Sequence, residues 1–122
     1  MGLLTVDIEI VSADEATSES HLALVDTGAS YLSLPRQLLE RLGYESLDTQ
    51  TVVFANGETA VWHVTEVRAR LGRRERTVIA FMAEPGAPAL IGAQTLETFG
   101  LGVDPLRLRL IPVDAYLAGA SA

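Results

Sequence analysis

The sequence predicts a small, mostly antiparallel β barrel or sandwich that contains one or two short helices. Short apolar segments recur along the chain, and clusters of turn-forming residues separate them. Asn56-Gly57 and Gly72 each lie between two such segments, a pattern typical of β-hairpins. Only two short segments have apolar residues at helical spacing. Many short strands with few helices are characteristic of this class of fold.

The bulk composition is that of one folded domain. The chain has 122 residues, of which 48% are hydrophobic, enough to build a core. We expect a single domain over residues 1–122, with a core of about 3–112 and a tail of 113–122. No apolar run approaches the roughly 18 residues of a membrane helix, and the first residues lack the pattern of a signal peptide. The expected location is therefore the cytoplasm, without membrane contact.

The charge and the reactive residue types exclude several kinds of site. The net charge of −7 comes from 16 acidic and 9 basic residues, which makes the chain a poor candidate for nucleic-acid binding. The absence of cysteine excludes disulfides, cysteine zinc sites and thiol nucleophiles. His21 and His63 lack further ligands at metal-site spacing, and neither Ser30 nor Ser33 lies in a nucleophile-elbow pattern. We expect no metal and no cofactor.

The N-terminal half is predicted as two strands followed by a helix. LLTVDIEI (3–10) alternates apolar and polar residues and predicts a half-buried strand. SADEATSES (12–20) is small and polar, which predicts an exposed loop. HLALVDT (21–27) predicts an apolar strand. A short helix is expected to open at Leu34-Pro35 and to stop at Gly43.

The middle of the chain is predicted as two hairpins. TVVFA and TAVWHV flank Asn56-Gly57, the strongest short signal for a hairpin turn. VRARL and RTVIAFM flank Gly72-Arg73-Arg74, which contains a glycine suited to a turn. Arg73-Arg74-Glu75-Arg76 is expected to be a solvated, charged tip. EPGAP (84–88) predicts a loop.

The C-terminal part is predicted as strand, helix and strand. LIG (90–92) predicts a short buried strand, and AQTLETFG (93–100) predicts a short helix that ends at its glycine. Within VDPLRLRLIPV (103–113), Asp104-Pro105 predicts the entry to a turn, and the strict alternation at Leu106, Leu108 and Leu110 predicts a final strand. AGASA (118–122) is expected to be frayed.

The stretch ALVDTGAS (23–30) is the candidate for chemistry. Asp26 directly follows an apolar strand, where a carboxylate without partners is costly to bury. Gly28 permits a tight turn and a close approach of the backbone, and Thr27 can brace the loop by hydrogen bonds. A carboxylate held on a rigid element suits catalysis, although an aspartate at a strand end also serves as a simple turn residue.

Two motifs resemble those of the aspartic proteases. LVDTGAS (24–30) resembles the active-site loop, in which an apolar pair precedes Asp-Thr/Ser-Gly-Ala. LIGAQTLETFG (90–100) resembles the second signature, in which two apolar residues and a glycine precede a short helix that ends in glycine. Their order and separation are similar to the retroviral type, and the single-domain retropepsin-like branch, with its bacterial members, fits best. The resemblance spans about residues 3–112 and implies a small closed antiparallel β barrel.

The resemblance implies a role for each residue of the loop and of the segment beneath it. Asp26 would be the catalytic carboxylate. Thr27 would join a hydroxyl network that ties two equivalent loops together. Gly28 would bring its backbone close to the carboxylates and the substrate, and Ala29 belongs to the same active-site loop. The segment Leu90-Ile91-Gly92 would pass beneath the loop as its floor.

The resemblance also implies a flap that closes over a bound peptide. The hairpin around Phe54 to Glu58, with Ala55-Asn56-Gly57 at its tip, matches the position of the flap. Retroviral flaps are rich in glycine, whereas this hairpin has one glycine at its tip and carries Glu58 and Trp62. The difference implies a flap that is stiffer, shorter or differently gated. Trp62 either lines the cleft or packs on the sheet.

Peptide hydrolysis by this route needs two carboxylates, one to activate a water and one to protonate the carbonyl. Held close together, the two share one proton, since both cannot ionise. Only Asp26 among the six aspartates lies in Asp-Thr-Gly, and the chain is too short for two lobes. A twofold homodimer would bring two copies of Asp26 together. The resemblance places TVDIEI and LRLRLIP at its interface, although the arginines of LRLRLIP could equally guard a bare strand edge.

The sequence therefore predicts a homodimeric aspartic endopeptidase. The expected partners are a second copy of the chain and a peptide or protein substrate, with no nucleic acid. The alternative is a retropepsin-like dimerisation or peptide-binding module with weak or no proteolysis, since a fold does not fix a function. The intact Asp-Thr-Gly motif favours the enzyme, because a non-enzymatic module has no use for two like charges at a dimer axis.

Overall fold

The computed structural model describes residues 3–117, which form nine strands and two short helices. The mostly β class is thus confirmed, while the predicted fraying of AGASA lies outside the described residues. No helix within residues 3–117 is long and apolar enough to cross a membrane. The elements are β1 (Thr5–Val11), β2 (Ser18–Val25), β3 (Leu32–Pro35), α1 (Arg36–Arg41), β4 (Asp48–Val53), β5 (Thr59–Leu71), β6 (Arg74–Ala83), β7 (Leu90–Ile91), α2 (Ala93–Phe99), β8 (Leu101–Asp104) and β9 (Arg109–Pro112).

Seven of the strands form one sheet in the order β1-β2-β7-β3-β6-β5-β4, and β8 and β9 form a separate pair. Residues Glu9–Val11 of β1 also pair with β5. Most of the strand pairs are antiparallel, as predicted, but the antiparallel barrel that the resemblance implies does not hold for two pairs: β2 and β7 are parallel, as are β3 and β6. Antiparallel pairing is required only where a tight turn joins two strands. These two pairs instead join strands that are far apart in the sequence.

The core is built from inward-facing aliphatic side chains of the strands and from one face of each helix. On β1, Ile8 and Ile10 are fully buried, two residues apart, as the alternation of a half-buried strand requires. Helix α1 buries Leu38 and Leu39. The largest side chains with almost no exposed surface are Phe99, Ile8, Ile10, Leu32, Leu34, Leu39, Met82, Ile91 and Val67.

Two predicted boundaries are wrong in the N-terminal half. Strand β2 begins at Ser18, inside the predicted loop, because Ser18, Glu19 and Ser20 continue the antiparallel register with β1. Residues 32–35 form β3 rather than the start of a helix, and α1 begins only at Arg36. Pro35 is extended, with ψ of 130°, and serves as the N-cap of α1. Parallel pairing with β6 fixes this segment as a strand.

The predicted continuous strand of LRLRLIP is also wrong. Only Arg109–Pro112 forms a strand, β9, and residues 105–108 form the turn between β8 and β9. Asp104 holds this turn, because its Oδ1 accepts hydrogen bonds from the N–H groups of Leu106 at 3.0 Å and Arg107 at 3.3 Å. Arg107 also pairs with the carboxylate and lowers the pKa of Asp104. Asp-Pro turn chemistry therefore overrides the alternating pattern.

A charged network joins the outer faces of β1, β5 and β6. The guanidinium of Arg70 lies 3.3 Å from the Glu9 carboxylate and 2.6 Å from that of Glu75. Arg68 donates to the other oxygen of Glu75 at 2.8 Å. These hydrogen bonds, with that of Arg68 the largest cause, lower the pKa of Glu75. The network thus lies across the strands that the pairing of β1 with β5 brings together.

The sequence predicted that Arg74 belongs to a solvated, charged tip, and this prediction is wrong. Its Nη1 donates a hydrogen bond to the backbone oxygen of Phe99 at 2.7 Å, and it lies 3.4 Å from that of Gly100. The last carbonyls of a helix have no partner within the helix, and a cation near them is favourable. Arg74 therefore caps the C-terminal end of α2, whereas Arg73 makes no side-chain hydrogen bond among the described residues.

We expect Arg74→Met to destabilise the fold by about 2 kcal/mol, because it removes a charged donor and leaves the Phe99 carbonyl without a partner. Arg73→Met is the matched control, since it removes the same charge from the neighbouring position. Urea unfolding of both variants gives the comparison. Equal unfolding midpoints for the two variants would show that the cap contributes nothing.

Candidate active site

Asp26 lies immediately after β2, at the start of a tight turn over residues 27–28. Its N–H donates to the backbone oxygen of Ile91 at 2.9 Å, and its backbone oxygen accepts from the N–H of Ala29 at 3.1 Å. Its Oδ1 accepts from the N–H of Gly28 at 2.9 Å. The main chain and one carboxylate oxygen are thus held by backbone groups, which fixes the direction of the side chain.

The other oxygen of the Asp26 carboxylate, Oδ2, is not held in this way. Within residues 3–117, no hydrogen bond reaches Oδ2 of Asp26, and the side chain is half-buried. An added Cβ at Gly28 would lie 3.2 Å from Oδ1 of Asp26, so a side chain there would crowd the carboxylate. Thr27 is exposed and makes no side-chain hydrogen bond among the described residues. Its predicted hydroxyl network therefore stays a prediction.

Strand β7 and the start of α2 hold the loop from the opposite side. Leu90 and Ile91 pair in parallel with Leu24 and Val25 of β2, which places β7 beside the strand that ends at Asp26. The N–H groups of Ala93 and Gln94 donate to the backbone oxygens of Ala29 and Ser30, each at 2.8 Å. The first N–H groups of a helix have no partner within the helix. In this molecule, the loop that follows Asp26 supplies the partners.

Gly92 is the tightest point of this junction. A Cβ added there would lie 2.5 Å from the carbonyl carbon of Ser30 and 2.6 Å from the backbone nitrogen of Tyr31. Its φ is −90°, a value that any residue adopts. The requirement for glycine therefore comes from the close approach of two backbones and not from the local conformation.

A cleft of about 350 Å³ opens between the loop after Asp26 and strand β4. Four of the predicted site residues line it: Gly28, Ala29, Phe54 and Leu90. The remaining lining residues are Ser30, Tyr31, Ser33, Gln50, Thr51, Val52, Val53 and Phe81. All twelve lining residues are uncharged, so the cleft suits an apolar or neutral segment of a ligand.

The tip of the β4–β5 hairpin stands outside this cleft. The N–H of Phe54 donates to the oxygen of Glu58 at 2.8 Å, and the N–H of Gly57 donates to that of Phe54 at 2.9 Å. Oδ1 of Asn56 accepts from the N–H of Glu58 at 2.9 Å. Gly57 has a φ of +86°, in the left-handed region that favours glycine. Contact of Ala55, Asn56, Gly57 and Glu58 with substrate stays a prediction.

Trp62 packs on the hairpin rather than lining the cleft. Its ring lies 5.5 Å from that of Phe54 in an edge-to-face arrangement. Phe54 is 38% exposed and does line the cleft. Of the two positions that the sequence left open for Trp62, the structure thus supports packing, here against a residue of the cleft wall.

Sequence reasoning missed most of the wall of the cleft. Tyr31 and Phe81 contact each other, with ring centres 5.8 Å apart, although one follows the Asp26 loop and the other lies on β6. Only the parallel pairing of β3 with β6 brings them together, and no local pattern announces it. On β4, four consecutive residues line the cleft, Gln50, Thr51, Val52 and Val53, so the period-two alternation of a strand gave no signal for them.

The family comparison agrees with the position of these motifs. An aspartyl protease family model matches residues 18–105, a range that contains the Asp26 loop, the β4–β5 hairpin and α2. The chain belongs to the aspartyl protease family. The retropepsin-like resemblance predicted from LVDTGAS and LIGAQTLETFG is thereby confirmed. None of the curated proteins matches the chain.

Membership of the aspartyl protease family supports an aspartic protease function in general terms. The match includes β2 from Ser18 and ends within the turn after β8, so β1 and β9 lie outside it. Within residues 3–117, no three His, Asp or Glu side chains gather into a group that could hold a metal ion.

Proposed function

We propose that the protein is a homodimeric aspartic endopeptidase in which the Asp26 carboxylates of two copies form the catalytic pair. The observation that carries this proposal is the fixed geometry of Asp26 within the aspartyl protease match. Its Oδ1 is held by the Gly28 N–H at 2.9 Å, and its loop borders a cleft of about 350 Å³. A carboxylate held by backbone groups beside a cleft is suited to general acid–base work.

The second carboxylate would come from a second copy of the chain. Asp26 is the single aspartate in an Asp-Thr-Gly motif, and Thr27 and Gly28 beside it are exposed. A twofold axis beside this loop would place the two Asp26 side chains together. Among residues 3–117, Thr5–Ile8 of β1 pair on one side only, with β2, which leaves one edge of that strand for an interface.

The proposed reaction needs only the two carboxyl groups and a water. One Asp26 carboxylate removes a proton from the water while the oxygen of that water attacks the peptide carbonyl carbon. The protonated Asp26 of the other copy gives its proton to the carbonyl oxygen, which yields a neutral tetrahedral diol. Return of a proton to the peptide nitrogen and loss of one from a hydroxyl then break the C–N bond. The pair is left with its single proton.

The substrate would lie extended in the cleft between the loop and β4. Backbone groups of a strand can bind an extended peptide through main-chain hydrogen bonds, and pockets select side chains. The β4–β5 hairpin is proposed as the flap, with Phe54 contacting the peptide. The pairing of β1 with both β2 and β5 supports a closed barrel, and we propose residues 3–112 as the protease domain. The cytoplasmic location stays a prediction.

We expect sedimentation of the purified chain to give a dimer, and the dimer fraction to cleave a peptide library. Because the proposed pair shares one proton, cleavage should have a bell-shaped pH dependence on the acidic to neutral side. Mass spectrometry of the products at a series of pH values measures the cleavage and its pH dependence. Cleavage by a chain that remains monomeric at every concentration would contradict the dimeric site, and binding without cleavage would favour a peptide-binding module.

A further inference from the structure

We propose that the binding groove continues beyond the cleft to Glu66 on β5, and that this extension binds a lysine or arginine side chain of the substrate. The inference rests on the proposed peptidase function and names a substrate class for it. Two further cavities carry it, together with a carboxylate on the wall that both of them share. The buried hydroxyl of Thr95 beside one of these cavities has no hydrogen-bond partner within residues 3–117, which further supports the inference.

Each of the two cavities adjoins the cleft through one shared lining residue. One, of about 260 Å³, lies between β5, β6 and α2, and shares Tyr31 with the cleft. The other, of about 190 Å³, lies between the start of β4 and β5, and shares Gln50 with the cleft. Glu66 and Ile79, which face each other across the β5–β6 pair, line both cavities. Glu66 thus lies in the wall of both cavities that adjoin the cleft.

The Glu66 carboxylate has no cation to pair with among residues 3–117. The nearest basic residue on the same face of β5 is Arg68, and its guanidinium is directed elsewhere. Its Nε donates to Glu75 at 2.8 Å and its Nη1 to the hydroxyl of Thr77 at 3.1 Å. No ion pair or hydrogen bond of the Glu66 side chain occurs within the described part of the chain. Its charge is thus available to a ligand.

The walls around Glu66 fit a long side chain with a cationic head. Ile79, which is 40% exposed, offers apolar surface for a methylene stem, while Gln94 of α2 brings a polar group. Thr95 is only 2% exposed, and its buried hydroxyl has no hydrogen-bond partner within residues 3–117. Buried polar groups are ordinarily paired. Lysine and arginine combine an apolar stem with a charged head, and an acidic side chain would be repelled by Glu66.

The test compares peptides that differ only in charge. In a cleavable peptide, each position in turn carries arginine or its neutral isostere citrulline, and kcat/KM is measured for both. We expect wild type to prefer arginine by about fivefold at one position away from the scissile bond. Most of the effect should appear in KM. Glu66→Gln should remove the preference, and Glu66→Lys should transfer it to a glutamate peptide. Glu84→Gln, an exposed carboxylate on the far loop, is the matched control and should retain the preference.

The outcomes separate this inference from the proposed function. An arginine preference that is absent in wild type, or that persists in Glu66→Gln, would overturn the inference and leave the peptidase intact. If wild type cleaves no peptide, the proposed function fails, and binding of the same peptides to the chain is then measured by fluorescence anisotropy. Binding that favours arginine and depends on Glu66 would uphold the basic-residue site. Binding that ignores charge, or no binding at all, would overturn it.

Discussion

Asp26→Asn is expected to abolish peptide cleavage and to leave the fold intact. Asparagine has nearly the same shape, and its Oδ1 can still accept the hydrogen bond that Gly28 donates at 2.9 Å. It cannot take a proton from water or donate an acidic one, so the general acid–base step is lost. Such a step contributes about a hundredfold to ten-thousandfold, and loss of both members of the pair should place the rate at the lower limit of detection.

The thermal stability of Asp26→Asn and the activity of a control variant are measured alongside its cleavage. Thermal unfolding of Asp26→Asn should occur at the wild-type temperature or above it, because two neutral amides at the proposed axis need no shared proton to lie close together. Asp114→Asn, an exposed aspartate with no side-chain hydrogen bond among the described residues, is the matched control and should cleave the library like wild type. Equal cleavage by Asp26→Asn and wild type would remove Asp26 from the mechanism.

We expect Gly92→Ala, which adds one methyl group, to be the most damaging glycine-to-alanine substitution at the site for both stability and cleavage. Its Cβ would lie 2.5 Å from the carbonyl carbon of Ser30, and neither backbone can yield without breaking the contacts between α2 and the loop. We expect a loss of about 3 kcal/mol in the free energy of unfolding, together with loss of cleavage. The loop that carries Asp26 would move away from α2, because Ala93 and Gln94 hold it by hydrogen bonds.

Gly86→Ala is the matched control for this substitution. Gly86 has a φ of +89° and no atom within 4 Å of an added Cβ, so alanine there costs only backbone strain, about 1 kcal/mol. Urea unfolding and cleavage of the two variants give the comparison, and Gly86→Ala should retain activity. If Gly92→Ala unfolded at the same midpoint as Gly86→Ala, the close approach of Gly92 to Ser30 would not limit the fold.

Local signals predicted much of this structure. Asn56-Gly57 marked a hairpin turn, and the turn lies there, because two residues suffice to specify its backbone geometry. AQTLETFG formed the helix that ends at Gly100, whose φ is +66°. Asp26 could be singled out because Asp-Thr-Gly is a contiguous motif whose geometry the loop itself creates.

Features that depend on distant segments were missed. TAVWHV and VRARL were separate segments in the sequence analysis but form one strand, β5, because β4 pairs with its first part, up to Val64, and β6 with the rest, from His63. Arg74 caps α2 from a strand that lies much earlier in the chain. The cleft brings Tyr31 and Phe81 together in the same way. Such contacts arise from the order of strands in the sheet, and one sequence carries no direct record of that order.

Mixing wild-type chain with Asp26→Asn chain tests most directly whether two Asp26 carboxylates form one site. Total protein is held constant above the dimerisation concentration, the chains are allowed to exchange, and cleavage is measured against the fraction of wild type. If each active site needs both carboxylates, mixed dimers are inactive and the rate follows the square of the wild-type fraction. A rate that falls in direct proportion to the wild-type fraction would show that one chain carries a complete site, and would contradict the shared pair.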